Sequence, residues 1–556
     1  MKRKRILIVG GVAGGASAAA RARRLSEEAE ILVFERGPHV SFANCGLPYF
    51  VSGEIRKSKD LVLQTPEELH ARFNLDVRVN TEAVRIDRNE NILEVRDLKT
   101  GEVAKEPYDA LLLSPGASAI KPPIPGIDSP GHFTLRTVPD TLAISTWITI
   151  HQAKRAVVVG GGYIGMEITE QLTRRGLTVS VVEEMPQVVG IFDVEMATYL
   201  HRELLSNGTD LHLSDSVVAF DSPKQGEQAA ASVVFLKSGA RLPADIVILA
   251  IGVRPEVELA RLAGLEIGEL GGIRVDNRLR TSDPHIWAVG DAIEVRHIVT
   301  GEWALIALAG PANRQGRIAA DNILGRDSCY EGTLGTSIVR LFDITAAATG
   351  ANERMLGKVG IDYQSVHLHP NSHAGYYPGS SPIALKVLFA PESGKILGAQ
   401  AVGRDGVDKR MDILATSIKA GMTVSDLAQL ELSYAPPFGS AKDPVNLAGM
   451  IAENVIAGDL AQAQWDEVEH LDDNVTLLLD VRQPEEWDAG RIPGAVHIPL
   501  PELRNRLCEL PLDREIVVYC QSGQRSYYAC RILTQYGFRC RNLSGAYLTW
   551  SAARGR

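Results

Sequence analysis

Two cysteines stand where their neighbours could make them do sulfur chemistry. Cys45 lies in Ser41-Phe42-Ala43-Asn44-Cys45-Gly46-Leu47-Pro48-Tyr49, with no second cysteine near it in the chain. A thiol without a neighbouring thiol cannot close an internal disulfide. If it is redox-active, it cycles through a mixed disulfide, a persulfide or a sulfenic acid. Cys520 opens the stretch Cys520-Gln521-Ser522-Gly523-Gln524-Arg525-Ser526, after an apolar strand over 515–520 and before a helix. A loop of this kind turns its backbone N–H groups inward as an anion cradle, in which a cysteine is held as thiolate and can carry a persulfide. The four residues between Cys520 and Arg525 leave room for a single sulfur atom. The plain alternative for Cys45 is a buried packing residue. Cys508, Cys530 and Cys540, which no motif claims, are read as structural.

These thiols need elements to position them and a source of electrons. Residues 5–9, Arg-Ile-Leu-Ile-Val, predict a buried parallel strand. Glycines 10, 11, 14 and 15 follow, then an Ala-rich helix to about Glu28 and a strand over 30–35 ending in Glu35. The theme recurs about 150 residues later: a strand over 155–159, Gly160-Gly161-Gly162-Tyr163-Ile164-Gly165, a helix to about Arg175, and a strand over 178–183 ending in Glu183. Glycines at the first, third and sixth places of such a turn let backbone approach a pyrophosphate, which the helix N-terminus attracts. The second turn fits fully, with Glu183 placed to accept from the adenosine ribose hydroxyls. A 2′-phosphate would be repelled there, and no Arg or Lys follows closely, so NADH is expected rather than NADPH. The first turn departs from the pattern, because Val12 holds the middle glycine place. Two such openings imply two different dinucleotide sites.

Composition bounds the rest. With 556 residues, 45% hydrophobic and 23% charged, the chain predicts several globular domains. The formal net charge of -10 gives no reason to expect nucleic acid as a partner, although local basic pockets for phosphate remain open. Six cysteines are too few for a disulfide scaffold and match no zinc spacing, so reduced thiols, a cytoplasmic setting and no metal are expected. Basic residues 2–5 followed by the apolar or small stretch 6–20 resemble a secretory signal. The glycine pattern that continues to Glu35 favours a cofactor turn instead. No run reaches the ~18 apolar residues of a membrane helix. Alternating strand-like runs such as Ala384–Phe389 mark residues 326–450, the stretch 451–470 is polar and connecting, and a small α/β unit begins near 466 with a strand over 476–480.

Further segments carry a family resemblance over nearly all of residues 1–450. Ser114-Pro115-Gly116-Ala117 follows an apolar strand, the run from Thr281 to Asp291 ends in a Gly-Asp pair, and Gly252-Val253-Arg254-Pro255 forms a turn, all in the order found in the two-dinucleotide-domain flavoprotein reductases. The Cys45 stretch closely resembles the coenzyme A-disulfide reductases, the single-cysteine branch of the pyridine nucleotide-disulfide oxidoreductases. Ordinary disulfide reductases of that superfamily carry a C-x-x-x-x-C pair there. Asp480-Val481-Arg482, Glu485-Glu486-Trp487, the run Gly490–Pro499 and the Cys520 loop resemble rhodanese domains. Related phosphatases have five residues between Cys and Arg, which leaves room for phosphate.

The resemblance implies an α/β fold with two Rossmann-like dinucleotide-binding domains, an α+β dimerisation domain and a C-terminal rhodanese-like α/β domain. Its expected parts are FAD-binding segments at 1–115 and 246–325, an NAD-binding domain at 116–245, a dimerisation domain at 326–450, a linker at 451–465 and a rhodanese domain at 466–556. FAD would contact Gly10, Gly11, Val12, Ala13, Gly15, Glu35, Arg36, Ser114, Gly116, Gly290 and Asp291, the last holding the ribityl chain. NADH would contact Gly160, Gly162, Tyr163, Ile164, Gly165, Glu183 and Gly252. Coenzyme A would contact Arg21, Arg24, Ser41, Asn44, Asn313, Arg314 and Lys442. Arg21 and Arg24 share a helix face, ordinarily just a solvated one. Tyr376 and Tyr434, with Tyr377 a rival for the first, would reach the partner subunit's cysteine site and protonate a leaving thiolate; interface packing is their plain alternative. Cys45, expected at a helix N-terminus that lowers its pKa, and the Cys520–Arg525 loop would do the chemistry.

The implied enzyme is a homodimer that uses NADH and FAD to reduce persulfides, polysulfides or coenzyme A disulfide. Two other functions stay open. One is an NADH peroxidase or oxidase cycling a sulfenic acid, a branch that usually has His where this chain has Ala13. The other is a flavin-bound sensor or sulfur carrier.

Overall fold

Arg5–Val9 is the middle strand of a five-stranded parallel sheet, between Glu30–Phe34 and Ala110–Leu113, with Asp76–Arg78 and Ile286–Ala288 at the edges. Its residues 6–9 are all buried, as a strand covered on both faces requires. The computed structural model describes residues 4–221 and 232–555, so Lys2 and Arg3 of the signal-like N-terminus lie outside the described residues. The rest of that stretch is this strand and the helix Ala13–Leu25. The helix stops short of the expected Glu28, because Ser26 turns extended and its hydroxyl accepts from the Ala29 N–H.

A second parallel sheet has the order Asp210–Leu213, Thr178–Glu183, Arg155–Val159, Ile246–Leu249, His132–Phe133. In each sheet the strand before the glycine turn has its successor on one side and a much later strand on the other. This leaves a crevice at the strand ends where such folds bind ligands. Ile246–Leu249 pairs with Arg155–Val159, so the return to the first sheet falls after this strand and not at 245–246. Both sheets belong to one unit, Met1–Pro186 with Gly208–Gly335.

The other unit comprises Gln187–Asn207 and Thr336–Arg556. The helix Val194–Ser206 therefore goes with this unit, not with the expected NAD-binding domain: Asp193 N–H donates to Gln400 Oε1 at 2.8 Å, and Gln400 Nε2 returns a bond to Asp193. The unit contains an antiparallel sheet in the order Ser337–Leu341, Ile344–Gly350, Ile396–Gly403, Ile383–Phe389, Gln364–Leu368. Ile383–Phe389 is buried at every position rather than alternating, since the sheet carries packed helices. The stretch expected as a polar connector is partly regular. The helix Pro444–Ile456 runs into it, burying Val445, Ala448, Gly449 and Ala452 on one face, and Gln462–Ala463 is an edge strand. That strand opens a parallel sheet completed by Cys540–Leu543, Glu515–Tyr519, Thr476–Asp480 and Val496–His497.

Candidate active sites

Above the first glycine turn is a cavity of about 590 Å³. Gly10, Val12, Ala13, Glu35, Arg36, Ser114, Gly116, Gly290 and Asp291 all line it. Gly10 has φ +90, and a Cβ there would lie 2.0 Å from the Ser114 carbonyl oxygen. Gly15 does not line the cavity; a Cβ on it would meet the Gly10 carbonyl at 1.8 Å, so it serves close packing of helix on strand. Gly11 acts through its N–H, which donates to Glu35 Oε2 at 2.9 Å, while Gly37 N–H donates to Oε1 at 2.8 Å. Asp291 is paired with Arg136 at 2.7 Å. Arg136 also lines the cavity, and no local sequence signal announced it.

The second turn repeats this construction. Gly160 has φ +107 with no room for a Cβ against Ala250, Gly165 would clash with the Gly160 carbonyl at 2.0 Å, and Gly162 faces open space. Tyr163 and Ile164 start the helix Tyr163–Arg174. Glu183 accepts from Gly161 N–H at 2.5 Å and from Met185 N–H at 2.8 Å, as Glu35 does in the first turn. Gly252, at φ +122, accepts from Ile120 N–H and leads into a two-stranded ribbon of Val253–Pro255 with Ala117–Ala119.

Cys45 is exposed, in the single turn Asn44–Gly46 that precedes the short helix Leu47–Ser52. Its pKa is raised, not lowered: crowding by surrounding atoms comes first, then the carboxylates of Glu167 and Asp291, with Arg136 opposing. Gly46, not Cys45, caps the helix Leu47–Ser52. Glu167 belongs to the second turn's helix and also meets the Tyr49 hydroxyl at 3.3 Å. Asn44 lines the cavity, and its buried Oδ1 has no partner.

The residues expected at coenzyme A fall into different settings. Arg21 is not a solvated surface residue; its Nε donates to Asp321 at 2.8 Å, with both side chains largely covered. Arg24, Asn313 and Arg314 are exposed on the helices Ala13–Leu25 and Ala309–Ile323. Ser41 has φ +48; its N–H donates to Gly11 and its carbonyl accepts from Leu63. Lys442 is exposed in the other unit.

In that unit the Tyr376 and Tyr434 hydroxyls are 3.0 Å apart, and this bond raises the Tyr376 pKa. Both rings are exposed, 77% and 49%. Tyr377 instead meets the His373 ring edge-on. Asp193, Glu195 and Glu353 converge closely enough to hold a metal ion, but the fully buried Lys386 ammonium sits among them at 2.5–2.8 Å. It already supplies the cation.

Cys520 is 1% exposed at the C-terminal end of the strand Glu515–Tyr519. Its sulfur accepts from Gly523 N–H at 3.2 Å and from the Ser526 hydroxyl at 3.4 Å. Asp480 and Arg482 form a buried pair, and Arg482 also holds the Gln521 side chain and the Gly490 carbonyl. Arg525 is clamped by both oxygens of Glu486 at 2.6 Å. That partner lies in the quoted Glu485-Glu486-Trp487 motif, but its pairing could not be read from spacing.

Family models match throughout: pyridine nucleotide-disulphide oxidoreductase over residues 4–316, its dimerisation domain over 336–444, and a rhodanese-like domain over 465–553. The chain is 35% identical to a coenzyme A disulfide reductase of Staphylococcus haemolyticus over 453 residues, 81% of this chain and 100% of that protein. The crystal structure of reduced Bacillus anthracis CoADR-RHD aligns with TM-score 0.96 and 49% identity, covering 100% of this chain and 98% of that one. An NAD-dependent persulfide reductase from A. fulgidus aligns with TM-score 0.91 and 37% identity over 98% and 100%. With both glycine turns, the exposed Cys45 and the Cys520 loop in place, the chain belongs to the pyridine nucleotide-disulphide oxidoreductase family and is an oxidoreductase with an appended rhodanese-like domain.

Proposed function

We propose that this chain oxidises NADH to reduce a disulfide, persulfide or polysulfide of a small thiol, coenzyme A foremost, at Cys45, while Cys520 handles sulfane sulfur. The observation that carries it is an exposed Cys45 beside the glycine-lined cavity, with Cys329 as the nearest other cysteine in its unit. The cavity, the crowded Gly10 turn and the unpartnered Asn44 oxygen fit FAD, held by the Gly10–Gly15 turn, Glu35, Ser114, Gly290 and Asp291. When bound, FAD relays an electron pair between nicotinamide and sulfur.

Cys45 attacks one sulfur of the substrate, forming a mixed disulfide with one half and releasing the other half as thiol or hydrosulfide. Two electrons and a proton then restore the Cys45 thiolate and free the second half. Overall, NADH, a proton and R–S–S–R give NAD⁺ and two R–SH; a persulfide gives R–SH and hydrogen sulfide. The paired Tyr376 and Tyr434 hydroxyls, brought by a second copy of the chain, hold the proton for the leaving sulfur. Gly160–Gly165 and Glu183 receive the dinucleotide, and Arg24, Asn313 and Arg314 the coenzyme's phosphates. The A. fulgidus and B. anthracis proteins share the rhodanese-bearing length of the chain, which supports sulfane sulfur as a substrate class. The protein acts as a cytoplasmic homodimer, in keeping with its dimerisation domain; among the described residues no helix is long and apolar enough to cross a membrane.

The test is NADH oxidation with coenzyme A disulfide, coenzyme A persulfide and hydrogen peroxide side by side. Cys45→Ser keeps its FAD and loses turnover of the first two by about a thousandfold or more, the scale on which losing a covalent nucleophile acts. Cys520→Ser impairs persulfide reduction more than disulfide reduction. Preferred turnover of peroxide, or full activity of Cys45→Ser, overturns the proposal.

A further inference from the structure

The second unit holds a cavity of about 520 Å³ that none of the sulfur chemistry uses. It lies beside Gln364–Leu368, the edge strand of the antiparallel sheet. The end of the helix Pro444–Ile456 and the segment that leads through Gln462–Ala463 into the rhodanese-like sheet bound its other sides. Glu353, Tyr363, Gln464, Trp465 and Asp466 line it, and among the described residues that line it none is Lys, Arg or His.

The walls carry negative charge that the protein does not neutralise. Asp193, Glu195 and Glu353 share one ammonium, that of Lys386. Asp193 and Glu195 are buried, whereas Glu353 keeps 34% of its side chain exposed and is the member of this cage that lines the cavity. Burial pushes the Glu353 carboxyl up, Lys386 opposes, and Asp193 and Glu195 add to the rise. Asp466 brings a further carboxylate. Arg541, which touches the Gln462 carbonyl at 3.5 Å, is already paired with Glu467 and Glu515.

Gln464 gives an independent sign of a donor-bearing ligand. Its Nε2 donates to the Ser365 carbonyl at 3.3 Å, which fixes the orientation of the amide, and its Oε1 is buried without a partner. A buried acceptor of this kind calls for an N–H or O–H. A metal ion would gather oxygens around one centre, and Lys386 already supplies the cation inside the cage. The cavity wall instead adds the rings of Tyr363 and Trp465, surfaces that suit methylene groups and ammonium ions.

We propose that this cavity is a binding site for a small organic di- or polyammonium ion. Glu353 and Asp466 take its ammonium groups, Gln464 Oε1 accepts from one N–H, and Tyr363 and Trp465 cover its methylenes. The bound ion joins the antiparallel sheet to the segment that enters the rhodanese-like sheet, and so stabilises that junction.

The test is isothermal titration calorimetry of the full-length, FAD-holding protein at physiological salt, with spermidine as the probe. One saturable site per chain is expected, and spermidine raises the thermal transition. Asp466→Asn and Gln464→Met each weaken binding by about tenfold, the scale of one hydrogen bond to a charged group. Glu392→Gln, which changes an exposed acid elsewhere in the unit, leaves binding as it was. Flavin absorbance and the thermal transition without spermidine confirm that each variant is folded. Absence of saturable binding overturns the proposal. So does binding that either cavity variant leaves unchanged, which is then general attraction to an acidic chain. Magnesium that displaces spermidine with the same dependence on both variants makes this a metal site and overturns it too.

Discussion

The ionisation of Cys45 is set by charges its own segment does not contain. Crowding and the Glu167 and Asp291 carboxylates hold its pKa above the usual thiol range, against Arg136. Removing one of the two negative charges stabilises the thiolate, so Glu167→Gln moves the pH midpoint of Cys45 alkylation by iodoacetamide downward. A midpoint that stays or rises contradicts the assignment of that carboxylate. At the second turn, Glu183 is fixed by two N–H donors from Gly161 and Met185. A 2′-phosphate would meet a carboxylate that cannot swing away. NADH is therefore preferred over NADPH by about tenfold or more in kcat/KM, each factor of ten being about 1.4 kcal/mol; equal values would refute this.

At the scale of elements, both turns are strand, glycine loop and helix packed too closely for a methyl group. A Cβ on Gly165 would lie 2.0 Å from the Gly160 carbonyl, backbone against backbone, so the helix must shift. Gly165→Ala raises the KM for NADH while the flavin spectrum is kept, because the first turn has its own Gly15 contact. Loss of FAD with an unchanged KM would assign the two turns the other way. The Cys520 loop is likewise built by its neighbours: the buried Asp480–Arg482 pair holds Gln521, and Glu486 clamps Arg525.

At the scale of the whole molecule, half-buried histidines of the second unit tie its stability to pH. His369 bonds the Thr549 hydroxyl at 2.8 Å, and burial, then His367, draw its pKa down to about 3. His201 accepts from Val188 N–H, and burial draws it down to about 4. Each is held neutral when folded, while the unfolded chain takes up a proton near 6.5. Their stabilisation is complete above about pH 6.5 and is lost on acidification toward 4, by about 1.4 kcal/mol per pH unit for each histidine. Thermal unfolding from pH 7.5 down to about 4.5 should show this fall, with a shallower slope in His369→Gln; a flat profile would contradict it. His367 adds a link by binding both Glu195 and Ser544, so the antiparallel sheet and the rhodanese-like end share polar contacts.

Local spacing alone determined much of this protein. The strands over 155–159, 178–183 and 476–480 stand where the sequence placed them, because a parallel strand covered by helices is rich in Val, Ile and Leu. The glycine turns, the acids ending their second strands and the cysteine loop were legible for a similar reason: each needs particular residues within a few positions. Only the tertiary structure brought Arg136 to Asp291, Glu167 toward Cys45, Lys386 into its carboxylate cage, and Arg21 onto Asp321. It also carried residues 187–207 out of the domain their position suggested. Pairings across a fold leave no period in the chain, and the charge that a neighbour imposes on a thiol depends on distance in space, which residue spacing does not encode.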